Sequence, residues 1–318
     1  MLKRRVFRKI IMTTAVLFSC LLMNILPDDE YKYVQSLKYI SNYHEEVIYL
    51  IDQYQMVART KIKVEEEKDI KGKAKELLEL LIKEGESETK LPSGFKNMIP
   101  SDTKIIGIDY KDSVLKVNFS KEILNVSEKE EEKMIEAIVY TLTEIEGVDK
   151  IILYVQDEIL TKLPHSKKNL PATLDRSYGI NKEYMLDSYK EINPVTIYYV
   201  SKYNEDYYYV PVTKYMNDSR EKIKIIIEQL SSSPLTSTNL MSFLNSNTKL
   251  LATQEEVDTL FLVFNEYIFS DMDTRNILEE VIYSISLSVR DNYNVKEVVF
   301  QLGDADAEIY KSVIKTLE

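Results

Sequence analysis

Tryptophan is missing from this chain of 318 residues; cysteine occurs once (Cys20), histidine twice (His44 and His165) and glycine seven times. Each scarcity removes a class of function. One cysteine makes no internal disulfide and no Cys-rich zinc site. Two histidines far apart in the chain offer little to a His-based metal centre, and the acids Asp271, Asp273, Asp304 and Asp306 lack the spacing and glycine of an EF-hand, so no metal is expected. No glycine falls in a G-x-G or G-x-x-x-x-G-K cluster, which leaves no phosphate-cradling loop and no nucleotide cofactor. Lys and Arg number 41 against 52 Asp and Glu, for a net charge of −11, a poor balance for gripping nucleic acid. What is present, 44% hydrophobic and 29% charged residues, is the composition of a folded chain, long enough for about two domains.

The first 26 residues stand apart. Lys3, Arg4, Arg5, Arg8 and Lys9 are unaccompanied by acids, Ile10 to Leu26 carries no charge, and Pro27-Asp28-Asp29-Glu30 ends the run. A basic flank before an apolar run is the pattern of an export signal or an N-terminal anchor, with everything after it beyond the membrane. Two readings stay open. In one, Leu17-Phe18-Ser19-Cys20 is a lipobox, cleaved before Cys20, whose thiol then carries lipid; Leu and Ser suit it and Phe18 is unusual. In the other, the segment is an uncleaved membrane helix, since Leu21, Leu22, Met23, Ile25 and Leu26 prolong the apolar run. Residues 27–45 read as a polar stalk.

Beyond the stalk the apolar pattern repeats. A first helix has Ala74, Leu77, Leu78 and Leu81 on one face, and its counterpart has Ile223, Ile226, Ile227 and Leu230. Strands with alternating apolar residues follow: Leu115, Val117 and Phe119 in one copy; Leu260, Leu262 and Phe264 in the other. A second helix carries Ile135, Ile138, Val139 and Leu142 against Leu278, Val281, Ile282 and Ile285, and a last strand Ile151, Leu153 and Val155 against Val298, Phe300 and Leu302. The spacing between copies is 149, 145, 143 and 147 residues in turn, so the drift is confined to turns. The expected fold class is α+β: two tandem β-α-β-β-α-β units over 46–160 and 194–318, each with two helices packed on one face of a small sheet. A linker, 161–193, is broken by Pro164, Pro171 and Gly179, and its Leu163, Leu170, Leu174 and Ile180 predict that it packs rather than floats. The Tyr-rich start of each unit reads as a hairpin, with Asn204-Glu205-Asp206 as the turn in the second.

The first unit carries Leu91-Pro92-Ser93-Gly94-Phe95, Met98-Ile99-Pro100-Ser101-Asp102-Thr103-Lys104, Val117-Asn118-Phe119-Ser120-Lys121-Glu122, Thr141-Leu142-Thr143 and Val148-Asp149-Lys150-Ile151. This string resembles the spore-germination GerM family and its GerMN domain. The second unit is a worn copy: Thr248-Lys249 survives, Leu262-Val263-Phe264-Asn265 replaces Val-Asn-Phe-Ser, and Ser237, Asn239 and Asn245 stand where the first has Pro92, Gly94 and Pro100. The resemblance implies an envelope protein of endospore-forming bacteria, active in sporulation or germination, facing the space between mother cell and forespore. It implies assembly or ring building with other sporulation envelope proteins or with its own copies, and no enzymatic activity.

The residues themselves give little catalytic chemistry. Pro164-His165-Ser166 is the one Ser-His neighbourhood, and adjacent side chains on an extended chain point apart. The acid runs Glu65-Glu66-Glu67 and Glu128 to Glu132 flank helices, where capping and solvation account for them, and Ser127-Glu128-Lys129-Glu130 is a partial capping box. No catalytic residue and no cofactor is expected. One surface does point to binding. Where the middle strand of the first unit turns Lys116 and Asn118 outward, the second turns out Phe261 and Val263. Either the linker or the first unit covers that face, or a partner does. An alternative to assembly is an extracytoplasmic ligand-binding module, for peptidoglycan or a small ligand, with the tyrosines of 198–209 stacking on sugars.

Overall fold

The computed structural model describes residues 44–64, 69–83, 89–232 and 239–303, and the backbone of 308–314. The anchor with Cys20, most of the stalk, Glu65 to Glu67, Ser237, Asp304 and Asp306 lie outside the described residues. The chain runs β1 (His44–Ile51), β2 (Val57–Val64), α1 (Ile70–Leu81), β3 (Ile105–Lys111), β4 (Val114–Phe119), α2 (Glu131–Leu142), β5 (Lys150–Val155) and β6 (Glu158–Ile159). A connecting segment holds β7 (Glu183–Met185). Then the plan returns as β8 (Asn193–Tyr203), β9 (Asp206–Met216), α3 (Lys222–Ser231), β10 (Leu250–Glu256), β11 (Thr259–Phe264), α4 (Glu279–Asn292), β12 (Glu297–Leu302) and β13 (Glu308–Ile314).

The expected α+β order is therefore present in both halves, and each opening extended segment is a hairpin. In the second, Tyr203 pairs with Asp206 across a tight turn whose Asn204 takes a φ of 54°, a conformation Asn tolerates better than most side chains. The sheets show what periodicity cannot. Within each half, four strands form one sheet, β3-β4-β5-β6 and β10-β11-β12-β13, with antiparallel, parallel and antiparallel pairings in turn. The two opening hairpins instead join each other: β2 pairs with β9 at Arg59 and Tyr209, and with β7 they make a five-stranded sheet shared by the two halves.

The apolar faces read from the sequence are buried. Leu115, Val117 and Phe119 pack with Leu77, Leu78, Ile135 and Ile138 in the first core, and Leu260, Leu262 and Phe264 with Ile223, Ile226, Ile282 and Ile285 in the second. Leu278 is the exception. It precedes α4 with extended backbone angles, as its N-cap, and is exposed. α2 is buried on nearly every side, because the hairpin β1-β2 covers the flank its own sheet leaves open. Both second helices tie to their hairpins by the same device: Thr141 Oγ1 accepts the N–H of Tyr49 at 3.0 Å, and Ser288 Oγ accepts that of Tyr198 at 2.9 Å.

The linker packs. Leu163, Leu170, Leu174 and Ile180 belong to the first core, and Leu174 exchanges two backbone hydrogen bonds with Ile151, at 2.8 and 2.9 Å. Asn181, with φ 45°, fills the gap between the hairpins. Its Oδ1 accepts from the Val57 N–H at 2.9 Å, and its Nδ2 donates to the carbonyls of Val57 and Pro211, both at 2.7 Å.

Candidate functional site

The motif residues turn out to be latches. In the first half, Ser120 Oγ accepts the N–H of Lys104 at 2.9 Å while the Ser120 N–H donates to the Lys104 carbonyl at 2.9 Å. In the second, Asn265 does the same with Lys249, at 2.9 and 3.1 Å. Both pairs close a β-bulge, at Ile105/Gly107 and at Leu250/Ala252. Asn118 donates to the Asp157 carboxylate at 2.7 Å and accepts the Asp157 N–H at 3.1 Å, fixing the β5-β6 turn. Gly94 has φ 88°, and a Cβ there would lie 2.5 Å from the ring of Tyr203 in the other half, so the glycine is needed both for its backbone and for the seam between halves. Phe95 beside it meets Tyr208 edge-on at 4.9 Å.

The most elaborate polar site lies on that seam. Tyr49 and Tyr198, matching positions 149 residues apart, touch hydroxyl to hydroxyl at 2.9 Å. Around them gather Arg59 from β2, Arg176 from the linker and Arg290 from α4, against Glu144 after α2 and Asp291 in α4. Arg290 grips both oxygens of Glu144, at 2.8 and 3.0 Å. Arg59 reaches it at 3.3 Å, and Arg176 bonds Glu144, Asp291 (2.6 Å) and the carbonyl of Tyr140 at 3.4 Å. Arg176 also sits over the ring of Tyr140, 4.9 Å from its centre. The group floors a cleft of about 380 Å³, whose rim includes Glu46, Lys73, Glu146 and Asp149.

The electrostatics of this floor are closed. Burial opposes ionisation of Glu144, yet Arg290, Arg176 and Arg59 together outweigh it and hold its carboxyl well below the usual range. Burial raises the hydroxyls of Tyr49 and Tyr198, which stay protonated and serve as donors. Three guanidiniums face two carboxylates. The surplus positive charge lies against the C-terminal ends of α2 and α4, each equivalent to roughly half a negative charge. Among the described residues the cluster offers a fixed, charge-paired joint rather than a nucleophile with a base.

A family model for sporulation and spore germination, Germane, matches residues 47–161 and 196–308. The chain belongs to the Germane (GerM) family. It is 31% identical over 230 residues to the spore germination protein GerM of Bacillus subtilis (strain 168), a match covering 71% of this chain and 63% of that protein's length. The fold is similar to the tandem GerMN domains of the sporulation protein GerM from Bacillus subtilis, with a TM-score of 0.75 and 28% identity over 83% of this chain and 92% of that one. The two halves are accordingly tandem GerMN domains, and the GerM motif residues named above are the ones that latch the fold.

Other residues singled out from the sequence separate. His165 and Ser166 donate their backbone N–H groups to Glu131, at 2.8 and 3.0 Å. Glu131 is thus buried in the helix start rather than solvated; burial opposes its charge, but these hydrogen bonds hold its carboxyl below the usual range. Asp271 accepts the N–H of Asp273 at 2.8 Å, as a turn residue does. The tyrosines offered for sugar stacking are mostly interior: Tyr198, Tyr199 and Tyr208 are buried, Tyr203 packs at Gly94 and Tyr209 stacks on Tyr283. Tyr207 is the exposed ring among them, and it meets Phe243 edge-on at 5.4 Å. Phe261 and Val263 are half-buried on the sheet face opposite the core, where Val263 and the exposed Leu251 both crowd Gly303. The seam cluster itself escaped sequence reading, because its charged members come from four separate segments and form no local motif in any of them.

Proposed function

We propose that this GerM-family protein is a non-enzymatic, membrane-held component of the spore-forming envelope that works as a scaffold or ring-building part between mother cell and forespore. The observation carrying this reading is the seam. Charged side chains that could have served chemistry are spent on joining two domains into one body with set geometry, and the GerM motif residues are spent on backbone latches. What is left to act is surface: sheet faces and edges held at a defined angle, the requirement for closed assemblies built from heterologous contacts. The basic and apolar N-terminus supplies the tether, as a lipid on Cys20 or as a helix, and places the domains on the extracytoplasmic side.

Two measurements test this. Mass spectrometry of the mature N-terminus distinguishes a diacylated Cys20 from an intact Met1; a chain cut to a free, unmodified end would remove the tether. Gentle crosslinking in sporulating cells, followed by purification of the full chain, is expected to recover envelope proteins or further copies. Recovery of neither, or a compartment reporter fused to the domains that reads out in the cytoplasm, would overturn the reading.

A further inference from the structure

Because the two domains are copies, each is a control for the other. Their outer sheet faces, turned away from the helices, differ in charge at matching positions. On the first face are Lys111 on β3, Lys116 on β4 and Lys150 on β5, with Asp109 directly across from Lys116. On the second, the counterparts of Lys111 and Lys150 are Glu256 on β10 and Glu297 on β12, the counterpart of Asp109 is Gln254, and that of Lys116 is Phe261. Lys111, Lys116, Lys150 and Glu256 are exposed. Core packing imposes no such reversal, since all these side chains point away from it.

Both faces also keep an apolar centre. The bulge in each edge strand carries a large exposed side chain, Ile106 (55% exposed) in the first domain and Leu251 (53%) in the second. Ile152, Tyr154 and Ile159 accompany the basic residues; Phe261 and Val263 accompany the acidic ones. Solvent-facing apolar residues kept at the same bulge in both copies, on faces whose far ends carry charges of opposite sign, are the two halves of a docking contact.

The geometry points to head-to-tail association of this chain with a second copy, the basic outer face of one first domain seated on the acidic outer face of the next second domain. This rests on the assembly reading above and names the partner. Because the two faces are unlike, the contact is heterologous, and each copy keeps one free face for the next. The occupant is another copy because the complementary surface is on the page: the same molecule carries both.

The test uses the full chain in mild detergent, with self-association measured by sedimentation velocity. Lys111→Glu with Lys116→Glu makes both faces acidic; Gln254→Lys with Glu256→Lys makes both basic. All four sites are exposed, and circular dichroism checks that each variant folds. Each variant alone is expected to associate about tenfold more weakly than the parent, the size expected from reversing a few exposed ion pairs. Mixed in equal amounts, they should return to within about threefold of the parent, since acidic faces then meet basic ones. A parent that stays monomeric, variants that associate like the parent, or a mixture that restores nothing would overturn the inference. A photo-crosslinking residue at position 116 in sporulating cells separates this from the assembly reading. Adducts with further copies support both; adducts only with a different protein overturn the copy-to-copy contact and leave assembly standing; no adduct of either kind counts against both.

Discussion

At the residue scale, two buried glutamates make opposite statements about pH. Glu144 has its carboxyl held down by three guanidiniums. Its contribution is fully present above the ordinary carboxylate range and is withdrawn as pH falls through that range toward the lower folded value. Replacing it with Ala leaves Arg59, Arg176 and Arg290 crowded without their common partner, and a loss of about 3–5 kcal/mol is expected in urea unfolding at pH 7. Glu136 runs the other way. Burial is the main cause of its rise to about 7, opposed by Lys182, 3.5 Å away, and by the Asn181 N–H at 2.9 Å. An unfolded chain releases that proton near the ordinary value of 4.5 while the folded one keeps it, so this group costs stability as pH climbs from about 4.5 to 7. Glu136→Gln keeps the acceptor for Asn181 and removes the titration. It should match the parent at pH 4 and exceed it by about 1–3 kcal/mol at pH 8. Equal stability at both pH values would show that Lys182 keeps the carboxylate charged throughout.

At the scale of elements, the linker and α4 show what local pattern hides. The linker's leucines predicted packing, but Asn181 gave no signal: a single amide in a loop became the bridge between hairpins because Pro211 offers a carbonyl and no N–H along that edge. Asn181→Ala removes three hydrogen bonds at once and is expected to cost about 2–4 kcal/mol, with faster hydrogen exchange at the Val57 amide as the distinguishing readout. α4 carries a different mark. Ser284 and Ser286 are buried, and their hydroxyls have no hydrogen-bond partner among the described residues. Alanine at either site should raise stability by about 0.5–1 kcal/mol, from better helix propensity and a removed desolvation cost; a loss instead would reveal a partner for the hydroxyl in solution. Helices and strands were legible because each buries one face, which periodicity reports directly. The partition of strands into three sheets was not, since pairing between β2 and β9 joins residues 150 apart at one register pair. The seam was invisible for a related reason: Arg59, Glu144, Arg176, Arg290 and Asp291 each look like ordinary surface charge in their own segment, and become a site only when the domains meet.

For the whole molecule, the question is whether two domains behave as one. Each has its own apolar core, and among the described residues the small buried cluster that links them is Ala58 with Tyr208 and Val210, with Phe95 packed against it. The coupling between cores therefore falls mainly on polar contacts: the arginines on Glu144 and Asp291, the paired tyrosine hydroxyls, and Asp52 accepting from the Tyr208 hydroxyl at 2.9 Å. Such contacts lock geometry more than they add stability, because desolvating five charges offsets much of their attraction. This division of labour predicts a calorimetric signature. The parent should unfold in one transition, with calorimetric and van't Hoff enthalpies in agreement. Glu144→Ala combined with Asp291→Ala should split that transition in two. The second domain should melt first, because the first core is reinforced by Leu163, Leu170, Leu174 and Ile180 from the linker and the second has no such addition among the described residues. A single transition merely moved to lower temperature would instead assign the coupling to the aromatic contacts of the seam, Phe95 on Tyr208 and Tyr203 on Gly94. In that case Gly94→Ala, which drives a Cβ into the Tyr203 ring from a backbone that disfavours it, becomes the substitution that uncouples the domains.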